Sequence, residues 1–278
     1  TMKLIIGTAN FKNSYGHNKF KKKDFPKTKK FLRNQNLKYF DTADNYNAYL
    51  ELKSIVNSKS LIIFKFELSK EKNLKKKINY IFKFFNLNQI YAILVHDKIN
   101  IKNAQFKNNL NFLLYLKKNR KIRKLGISIY EKKDLINLKK CFTPDIVQLP
   151  INIFNQNFIK SPLIKSLKNS GCEIHARSIF LQGKLLDKNK KHSLIHYNKK
   201  YFESLDQFCL ENNLSRFSAC IQFLLQNKKL INYIVVGISD FKELLEIYKE
   251  LRNKKNRHID FSPLKINKMI KLIDPRKW

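Results

Sequence analysis

Residues 233–248 read YIVVGISDFKELLEIY, an apolar run followed at once by a helical pattern. The run 233–237 is short and apolar almost throughout, which predicts a strand covered on both faces. Apolar residues then recur at helical spacing over 241–248, and Asp240 with Glu243 three positions later forms the pattern of a capping box. The segment therefore predicts a strand joined to a helix by a short loop.

The same unit recurs along the whole chain. Further short apolar runs bounded by turn signals lie at residues 3–7, 39–42, 61–65, 90–96, 124–128, 146–149 and 173–177. Helical patterns separate them, for example over 74–85 and 106–114. Eight strands alternating with helices predict a closed parallel barrel, and 278 residues suit a fold that takes about 250. We predict an α/β protein, a single-domain (β/α)8 TIM barrel over residues 1–278.

Other nucleotide-binding and hydrolytic folds lack their sequence signatures here. A doubly wound sheet would need G-x-G-x-x-G after its first strand, and the chain has only six glycines and no such pattern. No Walker loop, H-E-x-x-H helix or G-x-S-x-G elbow is present either. The lysine-rich stretch 184–200 is predicted to be a surface loop rather than a domain boundary.

The charge balance is strongly basic, with 57 Lys and Arg against 21 Asp and Glu and a formal net charge of +36. Such a charge is typical of nucleic-acid-binding proteins. The basic residues are dispersed over many segments, however, and the abundance of Lys, Asn, Ile, Phe and Tyr fits an A/T-rich coding sequence. We therefore predict no specific nucleic-acid partner.

Neither a membrane segment nor a metal site is predicted. No stretch approaches the roughly 18 apolar residues that a membrane helix needs, so we expect a soluble, cytoplasmic protein with no membrane partner. Four cysteines lie far apart without a C-x-x-C pair, which argues against both a disulfide framework and a zinc site.

Four polar residues stand at or just after the ends of predicted strands. Asp41 ends the second strand and Tyr46 follows it, while Lys65 ends the third strand and His96 the fourth. Taken singly, each has a structural explanation. Asp41 could cap the next segment and Tyr46 could pack in the loop, while Lys65 could be one more lysine among many and His96 a histidine of the core. Adjacent strands of a barrel nevertheless deliver them to the rim where active sites lie, which favours a catalytic group.

These residue types suit proton transfer to a carbonyl oxygen. A tyrosine hydroxyl is a poor acid–base catalyst at neutral pH, but a neighbouring ammonium stabilises its phenolate. Lys65 could supply that charge and Asp41 could hold Lys65 in place. His96 could hydrogen-bond the substrate oxygen and position it against Tyr46.

Motifs spread over the whole chain resemble those of the aldo/keto reductase family. They are LIIGTA at 4–9, FDTADNY at 40–46, IFK at 63–65, LVH at 94–96, GIS at 126–128, Gln148 with Asn152, and VVGIS at 235–239. The run IHARSIFLQGKLL at 174–186 is similar to a bacterial branch often associated with surface-polysaccharide genes.

The resemblance implies an NAD(P)H-dependent reductase that converts a carbonyl (an aldehyde, ketone or sugar-like compound) to an alcohol. Hydride comes from the nicotinamide and the proton from Tyr46, with Lys65, Asp41 and His96 completing the catalytic group. NADP is the implied cofactor, with NAD as the alternative, and a small-molecule carbonyl compound is the implied partner.

Contacts with the cofactor are also implied by the resemblance. The residues concerned are Ser128, Gln148, Asn152, Arg177, Gly237, Ser239 and Lys242. Ser128 and Gln148 would hold the carboxamide, and Arg177 stands where many members place an aromatic ring against the nicotinamide. The segment 237–242, where a strand meets a helix, would receive the phosphates because a helix amino terminus favours anions.

The sequence differs from the family pattern in two places, and one alternative function is open. Tyr46 is followed by Asn and Ala instead of the family's glycine, and the short segment between Tyr46 and Lys65 predicts a shortened second helix. The alternative is a cofactor-binding barrel with a regulatory or structural role and little turnover.

Overall fold

Eight parallel strands close into a barrel in sequence order, and the last strand pairs with the first. The strands are β1 (Lys3–Gly7), β2 (Tyr39–Ala43), β3 (Leu61–Phe66), β4 (Ile90–Val95), β5 (Ile122–Ser128), β6 (Ile146–Pro150), β7 (Glu173–Arg177) and β8 (Tyr233–Gly237). The computed structural model describes residues 2–12, 18–96, 102–159, 161–189, 192–253, 258–267 and 271–278. The predicted (β/α)8 barrel is confirmed, and the predicted strand limits differ from the observed ones by at most two residues.

Helices follow every strand. They are α1 (Ala9–Lys12), α2 (Phe25–Asn34), α3 (Tyr49–Ile55), α4 (Leu74–Phe85), α5 (Ala104–Lys118), α6 (Lys132–Lys139), α7 (Pro162–Asn169), α8 (Ser193–Tyr197), α9 (Lys199–Glu211), α10 (Arg216–Gln226) and α11 (Phe241–Arg252). As predicted, α3 is short, with seven residues. The predicted loop over 184–200 is wrong in its second half, because Leu194 and Ile195 are buried on α8. Within the described ranges, no helix is both long and apolar enough to cross a membrane.

The alternation of side chains along β1 separates two apolar clusters. Leu4 and Ile6 belong to the large core beneath the helices, whereas Ile5 belongs to a second cluster with Ile63 and Ile146. Because successive side chains point to opposite faces, the second cluster fills the barrel interior. The next inward positions towards the carboxyl ends of β2, β3 and β6 are polar, and they carry the candidate site.

Gly126 lies on β5 where the backbone of β6 leaves no room for a side chain. A Cβ atom at this position would lie 2.2 Å from the carbonyl oxygen of Ile146, with which Gly126 is paired in the sheet. The contact is with backbone that is itself part of the barrel, so the neighbour cannot move aside without disturbing the strand pairing.

We therefore expect Gly126→Ala to lower the free energy of unfolding by about 3 kcal/mol or more, through overpacking of the sheet. Gly171→Ala is the matched control, because Gly171 has a φ of +80° and nothing within 4 Å of an added Cβ. The control should lose only about 1 kcal/mol, from backbone strain. Chemical denaturation of both variants tests the difference, and equal losses would contradict the steric explanation.

Candidate active site

A cavity of about 970 Å³ opens at the carboxyl ends of the strands. Eight of the residues predicted from the sequence line it: Asp41, Tyr46, Lys65, His96, Gln148, Arg177, Gly237 and Ser239. Three predicted residues do not line it, namely Ser128, Asn152 and Lys242. The cavity therefore contains the whole predicted catalytic group and part of the predicted cofactor site.

Lys65 forms a buried ion pair beside the hydroxyl of Tyr46. Its Nζ donates a short hydrogen bond to Oδ1 of Asp41 and lies 3.4 Å from the Tyr46 hydroxyl. Burial alone would lower the pKa of Lys65, but the Asp41 carboxylate outweighs it and the net pKa is raised. Lys65 is therefore an ammonium ion at neutral pH, and its charge acts directly on the tyrosine oxygen.

A chain of polar contacts continues from Asp41 across the barrel. Nε2 of Gln148 donates to Oδ2 of Asp41 at 2.9 Å, and the hydroxyl of Ser128 donates to Oε1 of Gln148 at 3.2 Å. Nε of Arg177 donates in turn to the Ser128 hydroxyl at 3.3 Å. Ser128 thus lies behind Gln148, and it orients the amide that faces the cavity.

His96 directly follows β4, and its backbone N–H donates to the carbonyl of Phe66 at 2.9 Å. Burial, together with the nearby charges of Lys65 and Arg177, lowers the pKa of His96 to about 3. The imidazole is therefore neutral at physiological pH, with one N–H donor. Within the ranges that the structure describes, the ring has no hydrogen-bond partner, so this donor remains for a ligand.

Arg177 lies in a stack that sequence patterns did not reveal. Its guanidinium lies 3.9 Å from the ring centroid of Tyr130, and Arg276 lies 4.0 Å from the same ring. Nη2 of Arg177 also donates to the carbonyl of Ile129 at 3.1 Å. Tyr130 and Arg276 line the cavity, and Arg276 comes from the carboxyl end of the chain, far from any recognisable motif.

The loop after β7 lines the cavity with unusual backbone. Ser178, Leu181 and Gln182 have φ values of +55°, +50° and +53°, and Gly183 has +83°. Among the described residues, the N–H groups of 178–180, 182 and 183 find no acceptor. Successive N–H groups in mixed right- and left-handed backbone form a concavity suited to anions, and barrels of this type often bind phosphate after strands seven and eight.

Asn152 supports this loop from behind. Its Nδ2 donates to the carbonyl of Ser178 at 3.0 Å, and its Oδ1 accepts from the N–H groups of Phe154 and Asn155. The side chain is 1% exposed. The predicted direct cofactor contact of Asn152 therefore has no support in the geometry, because this side chain does not line the cavity.

The amino terminus of α11 differs from the predicted phosphate site. The Ser239 N–H donates to Oε2 of Glu243 at 2.7 Å, the Phe241 N–H to Asp24 at 3.1 Å, and the Glu243 N–H to Asp240 at 2.9 Å. Carboxylates of the protein thus hold three N–H groups of this turn. Lys242, expected to add positive charge, is 84% exposed and lies 3.9 Å from Glu246, outside the cavity.

The residues present accommodate a nicotinamide dinucleotide, although not by the route that the sequence suggested. Unpaired N–H groups of the 178–183 loop suit a diphosphate, and the amide of Gln148 suits a carboxamide. The turn before α11 suits a phosphate less well, since three of its N–H groups already bond to carboxylates. In the part of the chain that is described, no group of three or more His, Cys, Asp or Glu side chains could hold a metal ion.

A family model described as the aldo/keto reductase family matches residues 3–258. The chain belongs to the aldo/keto reductase family. Membership makes the protein an NAD(P)-dependent oxidoreductase and confirms the resemblance read from the motifs. No curated protein matches the sequence significantly.

Solved structures of aldo-keto reductases share the fold at low sequence identity. The holo form of an aldo-keto reductase from Bacillus halodurans matches with a TM-score of 0.70 and 14% identity over 91% of this chain and 87% of that one. A glycerol dehydrogenase from Gluconobacter oxydans gives a TM-score of 0.60 and 15% identity over 92% and 93%. A putative aldo-keto reductase from Pseudomonas aeruginosa gives 0.64 and 14% over 89% and 88%.

The low pKa of His96 makes stability depend on pH. Between pH 6.5 and about pH 3 the unfolded chain binds a proton on this histidine that the folded reductase does not. Protonation therefore stabilises the unfolded chain, and the free energy of unfolding decreases as pH falls. On going from pH 7 to pH 5, wild type should lose about 2 kcal/mol more unfolding free energy than His96→Gln.

Urea denaturation of both proteins at the two pH values measures this difference, and the other histidines cancel in the comparison. NMR of the imidazole in the folded protein provides a second readout. A ring that titrates near pH 6.5 in the folded state would contradict the assignment of a neutral His96.

Proposed function

We propose that this aldo/keto reductase reduces the carbonyl of a small polar molecule to an alcohol, with Tyr46 as the proton donor. The observation that carries the proposal is the ammonium of Lys65, paired with Asp41, at 3.4 Å from the Tyr46 hydroxyl and in one cavity with a neutral His96. A bound nicotinamide would supply the hydride. The chain's own residues supply the proton and the orientation of the substrate.

Proton transfer from Tyr46 leaves a phenolate that must be stabilised where it forms. The Lys65 ammonium is fixed before reaction by the Asp41 carboxylate, so little reorganisation is needed when the negative charge develops. Gln148 holds the second oxygen of Asp41 at 2.9 Å and thereby fixes the orientation of the pair. This preorganisation in a buried site is what makes the tyrosine an effective acid.

His96 positions the substrate oxygen. A neutral imidazole can donate a hydrogen bond to a carbonyl without adding a full charge, and His96 has no competing partner among the described residues. Its place on the strand next to β3 brings the donor to the rim that carries Tyr46. The carbonyl oxygen would then lie between the His96 N–H and the Tyr46 hydroxyl.

Cofactor binding is assigned to the side of the cavity formed by β6, β7 and the loop after β7. Gln148 would hold the carboxamide, with Ser128 orienting it, and the N–H groups of 178–183 would hold the diphosphate. Arg177 lies between these two elements and lines the cavity. The sequence predicted NADP with NAD as the alternative. The carboxylates of Asp24, Asp240 and Glu243 at the start of α11 affect the choice between the two.

The wall of the cavity favours a polar substrate. Five amide side chains line it away from the catalytic group: Asn10, Asn18, Asn45, Gln182 and Asn189. Such side chains offer both donors and acceptors, which suits the hydroxyl groups of a sugar-like aldehyde or ketone better than an apolar carbonyl compound. Cytoplasmic location and the lack of a specific nucleic-acid partner stay predictions from the sequence.

Tyr46→Phe removes only the hydroxyl. We expect cofactor affinity to persist while kcat/KM for carbonyl reduction falls by about 10²- to 10⁴-fold, the range for lost general acid–base catalysis. Steady-state kinetics over a panel of hydroxylated aldehydes, with calorimetric cofactor binding as the control, tests this. Turnover at the wild-type rate would make Tyr46 a packing residue; wild-type binding without any turnover over the panel would favour the regulatory alternative.

Lys65→Met and Asp41→Asn test the ion pair. Removing the Lys65 ammonium destabilises the phenolate, so the basic limb of the pH–rate profile should move to higher pH. Asp41→Asn should move it in the same direction by less, because the Lys65 amine stays but loses the carboxylate that favours its charged form. Profiles of kcat for both variants measure the shift, and unaltered limbs in both would remove the pair from the proton-transfer network.

A further inference from the structure

The wall of the cavity where β8 meets α11 is anionic. Ser239, Asp240 and Glu243 line it, and Asp24 lies against the same turn through its bond to the Phe241 N–H. Asp240 has a cationic partner, the exposed Lys21 at 2.8 Å. Glu243 has no cationic partner among the described residues, and its carboxylate accepts from the Ser239 N–H. A negative charge therefore remains at this wall.

The proposed function decides which part of a dinucleotide meets this wall, so the assignment of a ligand to Glu243 rests on that function. The nicotinamide must reach Tyr46 and His96, and the unpaired N–H groups of 178–183 suit the diphosphate. The β8–α11 junction forms a further wall of the same cavity. The adenosine ribose, which carries the extra phosphate in NADPH and a free hydroxyl in NADH, is the part left for it.

A phosphate at this place would lie against a carboxylate that no cation of the described residues neutralises. Three N–H groups of the turn already bond to Glu243, Asp24 and Asp240. Lys242 is not part of the cavity lining, and Lys21 is paired with Asp240. A dianionic group close to the Glu243 carboxylate would instead be repelled, and like charges at a binding site are costly.

A ribose hydroxyl would be a suitable ligand for the same carboxylate. Ionised carboxylates accept up to about four hydrogen bonds, and the Ser239 N–H occupies one site on Glu243. An acidic side chain that accepts from a ribose hydroxyl is a general means of selecting NAD over NADP. We infer that Glu243 makes this reductase select NADH over NADPH, by accepting from the adenosine ribose and repelling a phosphate attached to it.

Calorimetric titration of the whole protein with NADH and with NADPH tests the inference without relying on turnover. The titrations are made at pH 8, because burial raises the pKa of Glu243 and the carboxylate should be ionised. Wild type should bind NADH about tenfold or more tightly than NADPH. In Glu243→Gln, which retains an oxygen for the Ser239 N–H, the ratio should fall to near one, chiefly through tighter NADPH binding.

Glu246→Gln is the matched control. It removes the same charge one turn further along α11, from a side chain that is 55% exposed and outside the cavity lining, and the ratio should stay at the wild-type value. Equal affinities in wild type, tighter binding of NADPH, or a ratio unaltered by Glu243→Gln would overturn the role of Glu243 while leaving the reductase function intact. Failure of wild type to bind either dinucleotide would overturn both.

Discussion

The buried ion pair between Lys65 and Asp41 is the interaction on which the rest of the site depends. Both side chains are at most 3% exposed, so each would be strongly unfavourable alone in the barrel interior. Their attraction keeps Lys65 charged in a place where burial opposes charge. The Tyr46 hydroxyl lies beside this fixed cation, whose charge also helps to keep the imidazole of His96 neutral.

The pair also explains why the polar contacts extend so far across the barrel. A carboxylate has two oxygens to satisfy, and Lys65 takes only one of those of Asp41. Gln148 takes the other, which leaves its own amide oxygen for Ser128, whose hydroxyl then accepts from Arg177. A single buried charge pair thus sets the orientation of side chains on three further strands. Arg177, at the end of these contacts, has no carboxylate partner in the described part of the chain.

The strands and the catalytic group could be predicted because each is marked by a pattern within a short stretch of sequence. A parallel strand buried on both faces is a continuous apolar run, and a polar residue that ends such a run stands at the catalytic rim. Tyr130 and Arg276 gave no signal, since they meet Arg177 only through tertiary contacts. The 178–183 loop gave none either, because left-handed backbone at Ser178, Leu181 and Gln182 is imposed by the fold against the ordinary preference of those residues.

Overall charge and local charge have opposite signs at the far wall of the cavity. The chain carries a net charge of +36, yet the turn before α11 is surrounded by Asp24, Asp240 and Glu243. The capping box predicted from Asp240 and Glu243 shows how this arises. In the usual arrangement the glutamate reaches back to the N–H of the capping residue, but here it bonds to Ser239, one residue earlier. The same bonds that stabilise the start of the helix therefore weaken its ability to bind an anion. A helix amino terminus beside a cofactor cavity suits a phosphate best when its own side chains leave the N–H groups unbound.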